Sequence, residues 1–229
     1  MGSVLVYIDD SPLAVAVLVV AKAPVPGKVK TRLAATVGAE LAAEVAAAAL
    51  LDTLDAVRSA PVHNRIIALD GDLDAALRSV EIRSALNGFT VIPQRGEGLG
   101  QRLANAHLDA GTLAGKPVLQ IGMDTPQVTP NQLGECARVL LQSDAALGMA
   151  RDGGWWILGV STPDLAAGLV DVVMSSADTG RATLEVLRAR GCGVALLPLL
   201  DDVDTIADVF PVRMECPLIS RFRRATAAW

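Results

Sequence analysis

"LAVAVLVVAKAPVPGKVKTRL" (Leu13–Leu33) sets an apolar run against a cationic turn. Leu13 to Val20 is continuously apolar, rich in Val and closed by Pro24. That pattern predicts a parallel strand buried on both faces. Lys22, Lys28, Lys30 and Arg32 then crowd into the connection to the next element, which is the start of a helix. A turn made only for structure seldom needs so much positive charge, whereas a site that handles phosphate does. Pro24 and Pro26 stiffen the turn, and Gly27 lets the backbone come close to a ligand. Cations and free amides at a helix start suit a polyphosphate. The stretch is not a P-loop: no Gly stands five before Gly27, and Val29 occupies the place of the metal-binding Ser or Thr.

Outward from this strand the chain alternates. Residues 38–59 read as an Ala- and Leu-rich helix, 65–69 as a strand, 89–93 as a strand, 99–110 as a helix and 117–124 as a strand. Residues 129–144 read as a helix capped by Thr129 with Pro130 in its first turn. Two strands, 145–150 and 155–161, flank a tight "RDGG" turn; a helix over 178–190, a strand over 193–199 and a further helix complete the pattern. Alternation of this kind predicts a three-layer α/β/α sandwich with a mostly parallel mixed sheet. One domain over residues 13–215 is expected, with 1–12 and 216–229 peripheral and the arginines of the tail "RFRRATAAW" solvated.

The 229 residues are 52% hydrophobic but only 3% aromatic, so the core must be Ala, Val, Leu and Ile. A net charge of −5 argues against a nucleic-acid partner, which would demand a basic face. Cys136, Cys192 and Cys216 are odd in number and far apart, which fits neither a disulfide framework nor a zinc site and suggests a reducing cytoplasm. Leu13 to Ala21 is too short to span a bilayer, and Asp9 and Asp10 precede it where a signal peptide would be basic. A cytoplasmic protein without a membrane partner is expected.

Ligands of open α/β sheets sit where strands end. Asp124, in "GMDTP" (122–126), ends an apolar strand and is placed for a hard divalent cation such as Mg2+, though Asp-Thr also caps helices. In "DDVDTIAD" (201–208), Asp202 and Asp204 offer a second carboxylate to the same ion, or a cap. The glycines of "QRGEGLGQRL" (94–103) let backbone pack against a base or ribose, with Gln94 or Gln101 to hydrogen-bond it. In "RDGGWWILG" (151–159) one Trp is expected to face the core and the other the cleft, with Arg151 and Asp152 toward an acceptor. The aspartates of "DGDLDAALRSVE" (70–81) imitate a calcium loop, but Ala75 stands where Gly is required. His63 and His107 have no partners in the sequence and read as ordinary residues.

Taken in order, "AKAPVPGKVKTRL", "GLGQRLANA", "IGMDTPQVTP", "ARDGGWWILGV" and "DVDTIADV" resemble the segments of the DUF2064 group of GT-A-fold proteins, over about Val15 to Val209. "KTRL" and "DVDT" are also similar to phospholactate and phosphoenolpyruvate guanylyltransferases and to molybdenum-cofactor nucleotidyltransferases. The resemblance implies a GT-A (nucleotide-diphospho-sugar transferase-like) fold. It implies phosphate contacts from Lys22, Lys30 and Arg32, metal ligation by Asp124 with Asp204, and a base or sugar beside Gly98, Leu99 and Gly100. Two departures matter: "WW" replaces a tyrosine-containing step, which bears on the acceptor, and "SSADTGRATLEVL" (175–187) lacks a preceding tryptophan, which bears on any role of Thr179 or Arg181.

Two reactions compete, both using Mg2+ or Mn2+. Nucleotidyl transfer expels pyrophosphate, whose charge suits a lysine- and arginine-rich loop. Glycosyl transfer in a GT-A fold usually relies on an Asp-x-Asp pair, whereas "MDTP" carries one carboxylate. The expectation is therefore a nucleotidyltransferase acting on an NTP and a small anionic acceptor, which needs no general base; a hydroxyl acceptor would call on Asp152. A glycosyltransferase using an NDP-sugar is the alternative, and a non-catalytic nucleotide-binding protein the third. A homodimer is compatible with the sequence.

Overall fold

Leu13–Lys22 forms β1, from which the sheet grows in both directions. The computed structural model describes residues 11–229; Asp9 and Asp10 lie outside them. The other strands are β2 (Val62–Asp70), β3 (Thr90–Pro93), β4 (Val118–Gly122), β5 (Ala145–Ala150), β6 (Trp155–Val160) and β7 (Val194–Leu200). Their order is β3-β2-β1-β4-β6-β5-β7. Every neighbouring pair is parallel except those of β6, which runs antiparallel to both β4 and β5. The alternating residues of β1 explain its unbroken apolar run. Val15, Val17 and Val19 face one core cluster, and Ala16 and Leu18 face another. The strand is covered on both sides, so neither face can be polar.

One face of the sheet is covered by α2 (Ala39–Ser59), α3 (Ser79–Ala85) and α5 (Pro130–Leu140). The other is covered by α4 (Gly98–Ala114), a 3-10 segment (Pro163–Asp171) and α6 (Thr179–Ala189). The predicted cap of α5 is present: Thr129 and Gln132 form a reciprocal capping box behind Pro130. The predicted sandwich is the observed one. Four short segments escaped the pattern, a 3-10 turn at Leu73–Ala75, α3, the 3-10 segment Pro163–Asp171 and α8 (Arg221–Ala225), because each is too brief to show a clear helical period.

The tail departs from expectation. Beyond α2 lies an outer layer made of α1 (Thr31–Val37), α7 (Ile206–Glu215) and α8, in which Leu33, Val203, Val209, Val212 and Phe222 pack on Ala42, Val45 and Ala49. Phe222 is fully buried. The Asp52 carboxylate accepts from the backbone N–H groups of Arg221 at 3.0 Å and Phe222 at 2.8 Å. Arg221 also pairs with Asp55 at 2.6 Å. Residues 216–229 are thus seated on α2 rather than peripheral, and Arg221 is engaged rather than solvated. The alanines of α2 have the same cause: a helix buried on two sides must let two layers approach closely.

Cys136 and Cys216 are buried and form no disulfide among the described residues, and burial pushes their thiols up to about 11 and about 12. No helix among the described residues is long and apolar enough to cross a membrane. His107, on α4, is fully buried, and burial lowers its ring to about 4, opposed only by the neighbouring Gln120 amide.

Phe222→Ala is expected to cost about 3–5 kcal/mol in urea unfolding, as a truncated core aromatic does; a loss below about 1 kcal/mol would return the tail to the periphery. His107 binds its proton less readily folded than unfolded. Its contribution is therefore complete above pH 6.5 and is lost as pH falls from 6.5 toward 4, up to about 3 kcal/mol. The fall in stability across that window should be shallower in His107→Leu than in the natural chain.

Candidate functional site

β1 and β4 lie side by side, but the chain leaves them toward opposite ends of the sheet, which opens a crevice at their carboxyl ends. A cleft of about 560 Å3 occupies that place. Its floor includes Val20 of β1 and Gln120 and Gly122 of β4.

One wall is ionic. Asp124 follows the end of β4, and its carboxylate folds back over Gly122, where a Cβ would stand 2.5 Å from Oδ1. Asp202 and Asp204 come from the segment after β7, which is held beside Asp124 by a hydrogen bond from the Val203 N–H to the Asp124 carbonyl (3.3 Å). The first loop closes onto this wall. Lys30 Nζ reaches Asp124 Oδ2 at 2.5 Å, and Arg32 reaches Asp204 Oδ2 at 2.7 Å. The Lys30 side chain is only 10% exposed, whereas that of Arg32 is 64% exposed. Burial alone would lower the Lys30 ammonium, but Asp124, then Asp204 and Asp202, outweigh it and hold its pKa above the ordinary value. Asp202 shows the converse. Burial, and then the charge of Asp124, raise its carboxyl to about 7 against the pull of Lys30, with Asp152 adding to the rise.

The opposite wall is mainly apolar: Leu99 and Leu103 of α4, Trp155 of β6 and Met174. The segment 172–178 behind Met174 is pinned to the β5–β6 turn. The Gly180 N–H donates to the Gly153 carbonyl at 2.8 Å, and a Cβ on Gly153 would strike the Ala177 carbonyl at 1.9 Å.

Not every expected residue reaches the cleft. Arg32, Leu99, Asp124, Asp152 and Asp204 line it, and Lys30 stands behind Asp124. Lys22 is exposed and forms no ion pair among the described residues, and Gly27 is an exposed turn residue. Gln94 does not reach for a ligand: its amide nitrogen donates to the Ala21 and Ala68 carbonyls, tying the ends of β1 and β2. Gln101 accepts from the Glu97 N–H at the start of α4. Gly98 is exposed, while Gly100 is buried under the Leu169 carbonyl, 2.4 Å from where a Cβ would lie, so it serves helix packing rather than a base. Asp152 lines the cleft but also accepts from the Gly154 N–H, and Arg151 is drawn away to Asp201 at 3.0 Å. Both tryptophans touch the cleft: Trp156 is otherwise core, and Trp155 is partly open.

Sequence reading missed Gln120, Thr125 and the segment Met174–Thr179. Gln120 carried a signal, a lone polar residue inside the apolar strand "VLQIG". The others are placed by tertiary contacts and carried none.

The donors of the ionic wall are carboxylate oxygens, the kind a hard divalent cation selects. The wall gathers the three carboxylates Asp124, Asp202 and Asp204 against the two cations Lys30 and Arg32. The set fits such an ion in kind and in charge. Among the described residues no three His, Cys, Asp or Glu side chains converge to hold one as they stand.

The family model described as "Uncharacterized protein conserved in bacteria (DUF2064)" matches residues 53–176. No curated protein matches the chain. Among solved structures, a protein of Desulfovibrio desulfuricans G20, provisionally named a nucleotide-diphospho-sugar transferase, superposes with a TM-score of 0.80 at 27% identity over 94% of each chain. A cytidylyltransferase from Leptospira borgpetersenii (TM-score 0.57, 15% identity, 94% of this chain and 93% of that one) shares the fold. So does a nucleotidyl transferase from Methanothermobacter (TM-score 0.57, 17% identity, 93% and 99%). The architecture is therefore the GT-A-type one expected from the motifs.

Gly122→Ala tests how closely Asp124 must sit. The added methyl meets only the movable end of a side chain, so the melting temperature should stay within a few degrees while the carboxylate shifts. Turnover should fall roughly 10²-fold, the scale expected of an ångström misplacement; unchanged turnover would show that Asp124 need not sit there.

Proposed function

The chain belongs to the DUF2064 family, and from that premise we propose that it is a metal-dependent nucleotidyltransferase, moving a nucleoside monophosphate from an NTP to a small anionic acceptor with release of pyrophosphate. The observation that carries this reading is the pair of contacts Lys30–Asp124 and Arg32–Asp204 at one mouth of the cleft. They bring the cations of the first loop and an acidic wall to the same place. In the reaction an oxygen of the acceptor bonds to the α-phosphorus as the bond from that phosphorus to the bridging oxygen breaks. The electron pair leaves with pyrophosphate. Arg32, facing solvent at the mouth, would meet that departing charge, and Lys30, held charged by its neighbours behind Asp124, would add positive potential there. Lys22, exposed at the end of β1, adds positive potential for capturing the nucleotide. Asp124 and Asp204, with Asp202 beside them, would hold Mg2+ or Mn2+, which supplies neutralisation of phosphate charge when bound.

An acceptor that is already an anion brings its own nucleophile, which agrees with Asp152, among the described residues the one cleft-lining carboxylate besides Asp124, Asp202 and Asp204, being partly engaged in its own turn. A second reading, glycosyl transfer from an NDP-sugar, is favoured by the likeness to the Desulfovibrio protein and by the apolar wall around Trp155. We read residues 13–215 as the transferase domain and residues 216–229 as its brace.

Incubation with each NTP, Mg2+ and a pool of phosphate- and carboxylate-bearing acceptors should release pyrophosphate. Release of a nucleoside diphosphate from an NDP-sugar would instead establish the second reading, and neither product would sink both. Lys30→Ala and Asp124→Asn should each lower the rate about 10²–10³-fold while circular dichroism stays native. Full activity in Asp124→Asn would remove that residue from the chemistry.

A further inference from the structure

Gln120 is 2% exposed on β4 and lines the floor of the cleft. Its strand partners are Leu18 on one side and Leu158 on the other, so the amide stands between two apolar clusters. Its Oε1 has no hydrogen-bond partner among the described residues. The fully buried ring of His107 neighbours it from α4, and among the described residues neither ring nitrogen has a partner at full hydrogen-bond geometry. Thr125, 1% exposed and also lining the cleft, leaves its hydroxyl unpartnered. An unmet buried polar group costs about 1–3 kcal/mol, and an apolar residue of like shape removes that cost. Beyond the nearby His107 ring the fold offers this oxygen no partner, yet the amide lines the cleft where a ligand would meet it.

We propose that Gln120 is a specificity-determining residue, whose amide accepts a hydrogen bond from a ring hydroxyl of the ligand lying between Leu99, Leu103 and Trp155. The fully buried ring of His107 lies beside the amide and backs it. This deepens the transferase reading and rests on it for the nature of the ligand. The chemistry is that of a hydroxylated ring with one apolar face, which the ribose of a nucleotide and the sugar of an NDP-sugar both supply. Discrimination follows from burial. A ligand without the hydroxyl leaves the carboxamide as unmet as it is without ligand, and so loses the whole contact.

The test uses the full chain and Gln120→Met, which keeps the volume and removes the polar atoms. Ligand-free, the variant should melt about 2–4 °C higher, because an unmet amide has been removed. Thermal shift and titration then compare each NTP with its 2′-deoxy counterpart, and UDP-glucose with UDP, all with Mg2+; the two pairs separate ribose from transferred sugar. In the natural chain the hydroxyl-bearing member of one pair should bind about tenfold tighter or more, and in Gln120→Met that preference should vanish. A ligand-free variant less stable than the natural chain would overturn the inference, since the amide would then be structural. So would a variant that keeps the hydroxyl preference. If no nucleotide shifts the natural chain, the transferase reading fails, and the ligand-free comparison alone decides the role of Gln120.

Discussion

The site depends on one ion pair, Lys30 to Asp124. It joins a loop after the first strand to the end of a strand far along the chain, and it does so with the lysine nearly out of water. Lys30 has a positive φ of 46°, an uncommon backbone state for a residue with a side chain. That backbone state falls at the N-cap of α1, where the chain turns into the helix. Removing Asp124 would leave a largely desolvated ammonium with only Asp204 and Asp202 to offset it, which is costlier than losing an exposed bridge. Arg32, Asp204 and the start of α1 are then placed relative to this fixed point.

The wall around it carries more negative charge than the two cations offset. Three aspartates come from two segments that the sheet brings together only at its carboxyl edge, where β4 and the segment after β7 are stitched by the Val203–Asp124 backbone contact. Gathering carboxylates in a partly buried place is unfavourable to the protein by itself; burial first, and then the charge of Asp124, hold the Asp202 carboxyl above its ordinary range. Such an imbalance is tolerated where function, rather than folding, sets the composition. The opposite wall has the complementary character, apolar and held by close backbone packing between Gly153 and Ala177.

Much of this was legible in the chain. Uninterrupted Val, Leu and Ala in β1 revealed a strand covered on both faces, and strand-helix alternation revealed the sandwich, because periodicity is a local property. Lys30, Arg32, Asp124 and Asp204 stood out as charges at strand ends, and the structure brings them together in pairs. Gln94 and Gly100 misled, since a hydrogen-bonding residue and a glycine look alike in sequence whether they meet a ligand or tie the scaffold. The tail misled for a related reason: its three arginines advertise solvent, while the contacts that seat it are Asp52, set far back in α2, and the single Phe222. Met174 and Thr125 enter the cleft through folding alone.

The outer layer has a consequence for how such a protein diversifies. Leu33 in α1 and Val209 in α7 share a greasy bearing with Phe222, and these two helices carry, at their leading ends, opposite lips of the ionic mouth. Exchanging one aliphatic there for another would reset the gap between the lips without altering any group that meets a ligand. A lineage could thus drift in the girth of what it admits while its chemistry stays fixed.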